Sequence, residues 1–456
     1  MPKTLEQQLA GFVQSAHTGG MPPAAKQVAK DILRAVTGTA IAGAMEDGCE
    51  ALLGLLTQRG GAPEATVLVW GTQLPATSAA YMNGVMCRAL DYCDAMAPGL
   101  HIGSSLVPAA LAAAELAGGC SGEEFLAALC VGAEISSRLN LTESQYDGLD
   151  PTGIAGVFAS AAAAARLLCL TPEQTLHAMG LAFNRCGGSF QSNVDGSLAV
   201  RFIQGWVAET GVHCAQLARE GITGPVNYID GVYGYRKIYG RGRVSVEQVI
   251  GGLGERWAME GMMFKRYPSC GLTQGVTHLA LQAAHEGVIP GDVESIEIRL
   301  PPYGHRLVGH EFRMGDNPRV NAQFSAQYCV ANALQRRSSV LDHFRPSQVG
   351  DSEIARLISR ISVVPDRAMD ARGHTAVDLA VRTKQGESRK WSLDIAPGFP
   401  GQDLTHGEHA ARFNDCLAYA PIKLSTASTT RWLATIDNLE SVDDVRTLIP
   451  LLTAAP

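Results

Sequence analysis

The chain has 456 residues, enough for two domains and a large core. Hydrophobic residues make up 46% and charged residues 18%, which excludes a disordered chain. The net charge of -7, with no face rich in Lys and Arg, argues against a nucleic-acid partner.

The N-terminal stretch Met1 to Gln7 lacks an apolar signal core, so a cytoplasmic protein is expected. The apolar run Ala161 to Leu170 is shorter than a membrane span and contains Arg166, so no membrane partner is expected. The 11 cysteines show no CxxC or CxH spacing, which suits reduced, buried thiols and not a disulfide framework or a zinc site. His305 and His310 are five apart and His406 and His409 are three apart, with no third ligand in register for either pair. No metal is expected.

From Leu5 to about Gly254 the pattern is nearly all helical. Pro22-Pro23 opens a helix through Ile32, Val36 and Ile41 at helical spacing. Ala76 to Leu90, Leu106 to Leu116 and Glu123 to Leu139 follow, each bounded by Gly, Pro or Ser. Thr152 to Leu168 carries small faces that allow close helix approach, and Ser197 to Glu220 is another long helix. The character changes after Cys270. Val293 to Leu300 alternates with period two and reads as a half-buried strand. Ile361 to Val364 and Ala376 to Thr383 also read as strands, and Gln385-Gly386-Glu387 as a hairpin turn into Lys390 to Ile395. Helices are expected at Ala322 to Leu334, at Ser352 to Ser359 and again from Gly407 onward. The expected fold class is mainly α with an inserted α+β domain: helical residues 1–265, an α+β lid at 266–397, and a helical C-terminal part at 398–456. The cleft between them is the expected site.

Four segments could carry chemistry. Ala89 to Asp94, followed by His101 to Ser105, puts carboxylates, an imidazole and a helix start within a short span that suits an anionic substrate. The plain alternative is that Asp94 and Ser104 only organise the turn. Ser144 to Gly153 is a polar loop in which Tyr146 could carry a proton, or simply cover a helix end. Asp150 before Pro151 is a natural helix cap. Arg201, near a helix start, suits bidentate binding of a carboxylate or is an ordinary surface arginine. Phe264-Lys265-Arg266-Tyr267-Pro268-Ser269-Cys270 sets one lysine before a Tyr-Pro turn. A lysine desolvated at a domain junction becomes a usable base; the alternative is a surface Lys-Arg pair. Gly251 to Gly254 has no strand leading in and fails as a nucleotide loop, and neither a P-loop nor a GxSxG elbow is present.

Taken together, these segments resemble the MmgE/PrpD family. Ala89 to Asp94 with His101 is similar to its Ala-Leu-Asp-Phe-Asp-Asp and His-Pro-Gly-Ser block. Asp150-Pro151-Thr152-Gly153 and the Ala-rich run to Arg166 resemble its His-Pro-Thr-Gly block and helix. Phe264 to Cys270 resembles its Phe-Lys-Pro-Tyr-Pro motif, and Val320 to Tyr328 its Ala-Lys-Phe-Ser-x-x-Tyr block. The resemblance covers nearly the whole chain. It implies a helical domain with an α+β lid, a homodimer, a small polycarboxylate substrate and no organic cofactor.

The departures from the family pattern are Cys93 and Ala95 for Asp and Thr, Asp150 for His, Arg201 for Lys and Gln274 for His. Dehydration needs a group that protonates the leaving hydroxyl, and lost polar groups count against it and against decarboxylation. The resemblance therefore looks closest to a cofactor-independent epimerase of iminodisuccinate, an isomerase. On that expectation Lys265 and Tyr146 are an acid/base pair on opposite faces of the substrate. His101 and Arg201 hold carboxylates, Asp91 orients His101, and Ser104 belongs to the substrate-binding set. The alternatives are a 2-methylcitrate dehydratase-like or cis-aconitate decarboxylase-like lyase, and a non-catalytic polycarboxylate-binding protein.

Overall fold

The structure is a computed structural model that describes residues 2–454 apart from 143, 144 and 146, and only the backbone at 194. The chain divides into two compact units, Met1–Met262 with Cys416–Pro456, and Met263–Asp415.

The first unit is helical. α1 (Leu5–Ser15) opens with a capping box in which the Thr4 side chain accepts from Gln7 N–H and the Gln7 side chain accepts from Thr4 N–H. α2 (Pro23–Gly43) starts on proline, whose missing N–H is no loss in a first turn. α3 (Cys49–Arg59) leads to a short hairpin, β1 (Ala65–Thr66) with β2 (Gln73–Leu74). The helices α4 (Ala76–Arg88), α5 (Gly103–Leu116), α6 (Gly122–Leu139), α7 (Val157–Leu167), α8 (Pro172–Phe183) and α9 (Ala199–Arg219) follow. α4, α5 and α7 all pack on α9, and their shared core is largely alanine. Small residues bring the backbones together. A Cβ on Gly84 of α4 would lie 2.9 Å from Gly205 Cα of α9, so neither position admits a side chain without parting the helices.

The helix expected from Thr152 does not begin as an α-helix. Residues Thr152–Gly156 form a π-helical turn, and α7 begins at Val157. Such wide turns commonly occur at functional sites.

The second unit holds a mixed four-stranded sheet with helices. Its elements are α10 (Gln274–His285), β3 (Val293–Leu300), α11 (Pro318–Gln323), α12 (Ala326–Arg336), α13 (Ser352–Ile358), β4 (Ile361–Pro365), β5 (Val377–Thr383), β6 (Ser388–Leu393) and α14 (His406–Tyr419). The strand order is β4-β3-β5-β6. β3 runs parallel to β4, with Ile296 opposite Ile361, and antiparallel to β5, with Arg299 opposite Asp378. A register shift between Val293 and Ser295 changes the parity of β3. Val293 therefore shares the buried face with Ile296, Ile298 and Leu300 despite the odd spacing. Val377, Leu379, Val381 and Trp391 continue that face, and α10 and α12 cover it. Fully burying a side chain of this size contributes about 1.5–3 kcal/mol.

The helix expected across Ala322 to Leu334 is two helices. Phe324 and Ser325 interrupt it, and Ser325 Oγ caps α12 by accepting from Tyr328 N–H at 3.2 Å. The chain returns to the first unit at Cys416 and ends in α15 (Thr426–Asp437), whose Trp432 Nε1 donates to Thr37 Oγ1 of α2 at 3.1 Å. Among the described residues no helix is long and apolar enough to cross a membrane.

Candidate functional site

In the first unit, the C-terminus of α4 and the N-terminus of α5 meet around a buried polar cluster. Arg88, Asp91, Asp94, His101 and Asp150 are all less than 9% exposed. Burying this many charges is unfavourable unless they are paired and hydrogen-bonded, so the contacts matter. Arg88 is the last residue of α4, and its Nη1 donates to Asp91 Oδ1 in an i,i+3 ion pair. Asp91 reaches back because its backbone is left-handed, with φ of 51°, a conformation Asp tolerates better than most residues. Strained backbone of this kind collects at functional sites. Burial works against the Arg88 charge, but Asp91, with Cys93 and Asp150, outweighs it and pushes the guanidinium pKa above its ordinary value.

His101 sits between these groups. Its Nδ1 is 2.7 Å from the Asp94 carbonyl oxygen and 3.4 Å from Cys93 Sγ, and its Nε2 is 3.4 Å from Arg88 Nη2. The Asp94 carboxylate accepts from Gly103 N–H at 2.9 Å, an anion at the start of α5. A side chain at Gly103 is excluded, because a Cβ there would come within 2.4 Å of Asp94 Oδ1.

The turn that leads into α7 closes the cluster. Asp150 Oδ1 accepts from Thr152 N–H at 2.9 Å and Gly153 N–H at 3.3 Å, as a cap does. Burial raises the Asp150 pKa above the usual carboxylate value, against these two N–H groups and Arg88. Thr152 Oγ1 accepts from His101 N–H at 3.0 Å. Gly153 packs on Gly187, whose N–H donates to Gly153 O at 3.1 Å, and a Cβ on Gly153 would lie 1.7 Å from Gly187 O.

The structure thus brings Asp91 and His101 together through Arg88. Ser104 lies in the first turn of α5, fully buried, and its Oγ has no hydrogen-bond partner among the described residues. Arg201 is buried in the first turn of α9, and its Nη1 donates to Asp47 O at 2.9 Å in the α2–α3 turn. Tyr146 lies outside the described residues.

Lys265 belongs to the second unit and is 2% exposed. The segment around it is gripped on both sides. Before it, Phe264 N–H donates to Gly398 O at 2.9 Å, and the Phe264 ring packs edge-on against His409. After it, Arg266 pairs with Glu408 at 2.9 Å. Gln274, in the first turn of α10, then holds the Tyr267 to Cys270 loop. Its Oε1 accepts from Tyr267 N–H at 2.9 Å, and its Nε2 lies 3.0 Å from Tyr267 O, 3.2 Å from Ser269 O and 3.3 Å from Cys270 O. Gln323 of α11 completes the grip. Its Nε2 donates to Pro268 O at 3.0 Å, and its carbonyl accepts from Cys270 N–H at 3.0 Å. The segments Phe264 to Cys270 and Val320 to Tyr328 are therefore one structural device. Burial pushes the Tyr267 hydroxyl up to about 12, with Arg266 opposing and Glu408 adding, so this tyrosine stays protonated near neutrality.

Arg88, Gln274 and Gln323 carry these arrangements, and none of them is a candidate site residue in the sequence reading. Arg88 has one legible signal, a basic residue three before Asp91 at a helix end. Gln274 appears there only as a departure from the family pattern and Gln323 only as part of the Val320 to Tyr328 block, since their amides act on loop carbonyls that the sequence does not pair with them. Among the described residues, no group of three or more His, Cys, Asp or Glu side chains is arranged to hold a metal ion.

Residues 7–247 match the MmgE/PrpD N-terminal domain and residues 267–428 the MmgE/PrpD C-terminal domain. The chain is 24% identical over 401 residues to cis-aconitate decarboxylase of Homo sapiens, covering 84% of this chain and 81% of that protein. It is 29% identical over 372 residues to cis-aconitate decarboxylase of Aspergillus terreus, covering 75% of each. It is 27% identical over 361 residues to the cis-aconitate decarboxylase-like protein oryM of Aspergillus oryzae, covering 73% of this chain and 74% of that protein. A decarboxylase breaks a carbon–carbon bond and is a lyase, so these relatives overturn the expectation of an isomerase. That expectation rested on the departures at 93, 95, 150, 201 and 274, yet Arg88 and Asp91 keep an ion pair in the cluster. With both domains matched in order over most of its length, the chain belongs to the MmgE/PrpD family.

Proposed function

We propose that the protein is a lyase that removes CO₂ from a small unsaturated polycarboxylate of the cis-aconitate type, without an organic cofactor. The observation that carries this reading is the likeness to cis-aconitate decarboxylases over 84% of the chain in the human case. Loss of CO₂ leaves an electron pair on carbon. A neighbouring double bond conjugated to a second carboxylate can take up that pair, and a proton must then be delivered to carbon. Such a reaction needs fixed positive charge and hydrogen-bond donors for the retained carboxylates, and a positioned acid for the carbon.

The chain has groups suited to each task. Lys265, in its rigid segment, is assigned the delivery of the proton. Tyr146 is kept as a second proton carrier. The cluster of Arg88, Asp91 and His101, with Ser104 and Arg201, is assigned to the carboxylate groups. Buried positive charge in such a cluster acts more strongly than it would in water.

The test is to incubate the purified protein with cis-aconitate, without added cofactor, and to follow released CO₂ and the product alkene. CO₂ release that is abolished in Lys265→Ala, in a variant with unchanged thermal unfolding, is the expected result. Saturable binding of cis-aconitate with no CO₂ above the uncatalysed rate would replace the reading with that of a binding protein. Full activity in Lys265→Ala would overturn the assignment of the proton donor.

A further inference from the structure

We propose that Arg88 is a positioning residue that locks His101 as a neutral imidazole protonated on Nδ1. The two ring nitrogens face opposite kinds of partner. Nδ1 is 2.7 Å from the Asp94 carbonyl oxygen. A carbonyl only accepts, so the proton sits on Nδ1. Nε2 is 3.4 Å from Arg88 Nη2. A guanidinium only donates, so Nε2 meets it with its lone pair. A proton on Nε2 would point at a fixed positive charge.

That charge does not leave. Arginine keeps its proton in proteins, and Asp91 holds this one in a buried ion pair. Among the described contacts, the charged and titratable groups around His101 are Arg88 at the end of α4, Asp91, Cys93 and Asp94 on the turn after it, and Asp150 on the turn before α7. His101 N–H is also tied down, to Thr152 Oγ1 at 3.0 Å. The ring therefore has a fixed tautomer and a fixed orientation. It is not the cation of the site. The positive charge of the cluster is that of Arg88, which its ion pair with Asp91 holds in place.

The kinetic consequence rests on the decarboxylase reading, but the tautomer does not, and the two are measured apart. Protein labelled with ¹⁵N-histidine is studied by long-range ¹H–¹⁵N correlation from pH 5.5 to 8.5, with His101→Gln assigning the signal. The expected result is one ring with a protonated Nδ1 and a lone pair on Nε2 throughout. In Arg88→Met the same ring should titrate within this range, while Arg88→Lys should keep it neutral. With cis-aconitate, Arg88→Met should lower kcat/KM roughly 10- to 100-fold, the range expected for losing a charged hydrogen bond, and add a pH inflection absent from the wild type. An imidazolium or a protonated Nε2 in the wild type at pH 7 would overturn the proposal, whatever the variants do. A folded Arg88→Met whose ring does not titrate would overturn it as well.

Discussion

Replacing Gln274 by Met keeps the length of the side chain and removes its amide. Two loop groups lose their partner. Tyr267 N–H donates only to Gln274 Oε1, at 2.9 Å, and Ser269 O accepts only from Gln274 Nε2, at 3.2 Å, among the described contacts. The other two carbonyls keep a bond each, because Tyr267 O also accepts from Ser269 N–H and Cys270 O from Thr273 N–H. Gln274 is fully buried, so water cannot take its place cheaply. Two orphaned groups at about 1–3 kcal/mol each give about 2–6 kcal/mol of destabilisation. For a unit of this size that is a fall in Tm of roughly 4–24 °C. Calorimetry of the intact chain measures it, and CO₂ release measures the accompanying loss of turnover as the segment that carries Lys265 loosens. Gln274→Glu adds a control of sign. Only its protonated form can donate to the loop carbonyls, so its folded pKa is raised above the unfolded value of about 4.3. The penalty is then absent below the unfolded pKa and grows as pH rises to the folded pKa, and the variant should recover toward pH 4.5. A Gln274→Met protein within about 0.5 kcal/mol of wild type, at full turnover, would show that the amide does not hold the loop.

Gly153→Ala puts a Cβ 1.7 Å from Gly187 O, a backbone atom that cannot swing away. The expected cost is at least the usual overpacking of about 1–3 kcal/mol in urea unfolding, with loss of turnover because Thr152 holds His101; a neutral effect would contradict the close contact. Asp415 accepts from Leu341 N–H at 3.1 and 3.3 Å, and burial raises its pKa to about 6, with Asp342 adding and Leu341 and Arg412 opposing. A raised acid favours folding at low pH, so its penalty is full above about 6 and gone below the unfolded value of about 3.9. Asp415→Asn should therefore be more stable than wild type by about 1–3 kcal/mol at pH 8, with the difference vanishing toward pH 4; a difference that is flat with pH would refute it.

Local pattern made much of the fold legible. The alternation over Val293 to Leu300 marked β3 at both ends, and the helices α2, α6 and α9 fall within two residues of their expected limits. The pattern did not reveal the register shift after Val293, which depends on pairing with β5. Nor did it reveal the break at Phe324 and Ser325, where apolar spacing continues and only the cap of α12 ends the run. In the site, Asp91 and His101 stood out as a carboxylate and an imidazole close to a helix start, with turn organisation as the plain alternative. Arg88 did not: its one signal is a basic residue three before Asp91 at a helix end. It is buried, and Asp91, whose backbone is left-handed, pairs with it there. The Lys265 segment was visible as a motif, but its rigidity comes from Gln274 and Gln323. Gln323 reaches the loop from α11, 55 residues along the chain from Pro268, and no local pattern encodes that contact.

The most direct test is to turn over carboxyl-labelled [¹³C]cis-aconitate in D₂O with the wild-type protein and no added cofactor, and to follow it by ¹³C and ¹H NMR. The expected result is one ¹³CO₂ released and one deuterium placed on carbon per product molecule, with both signals lost together in Lys265→Ala. Intact substrate after prolonged incubation with folded protein would contradict the decarboxylase reading.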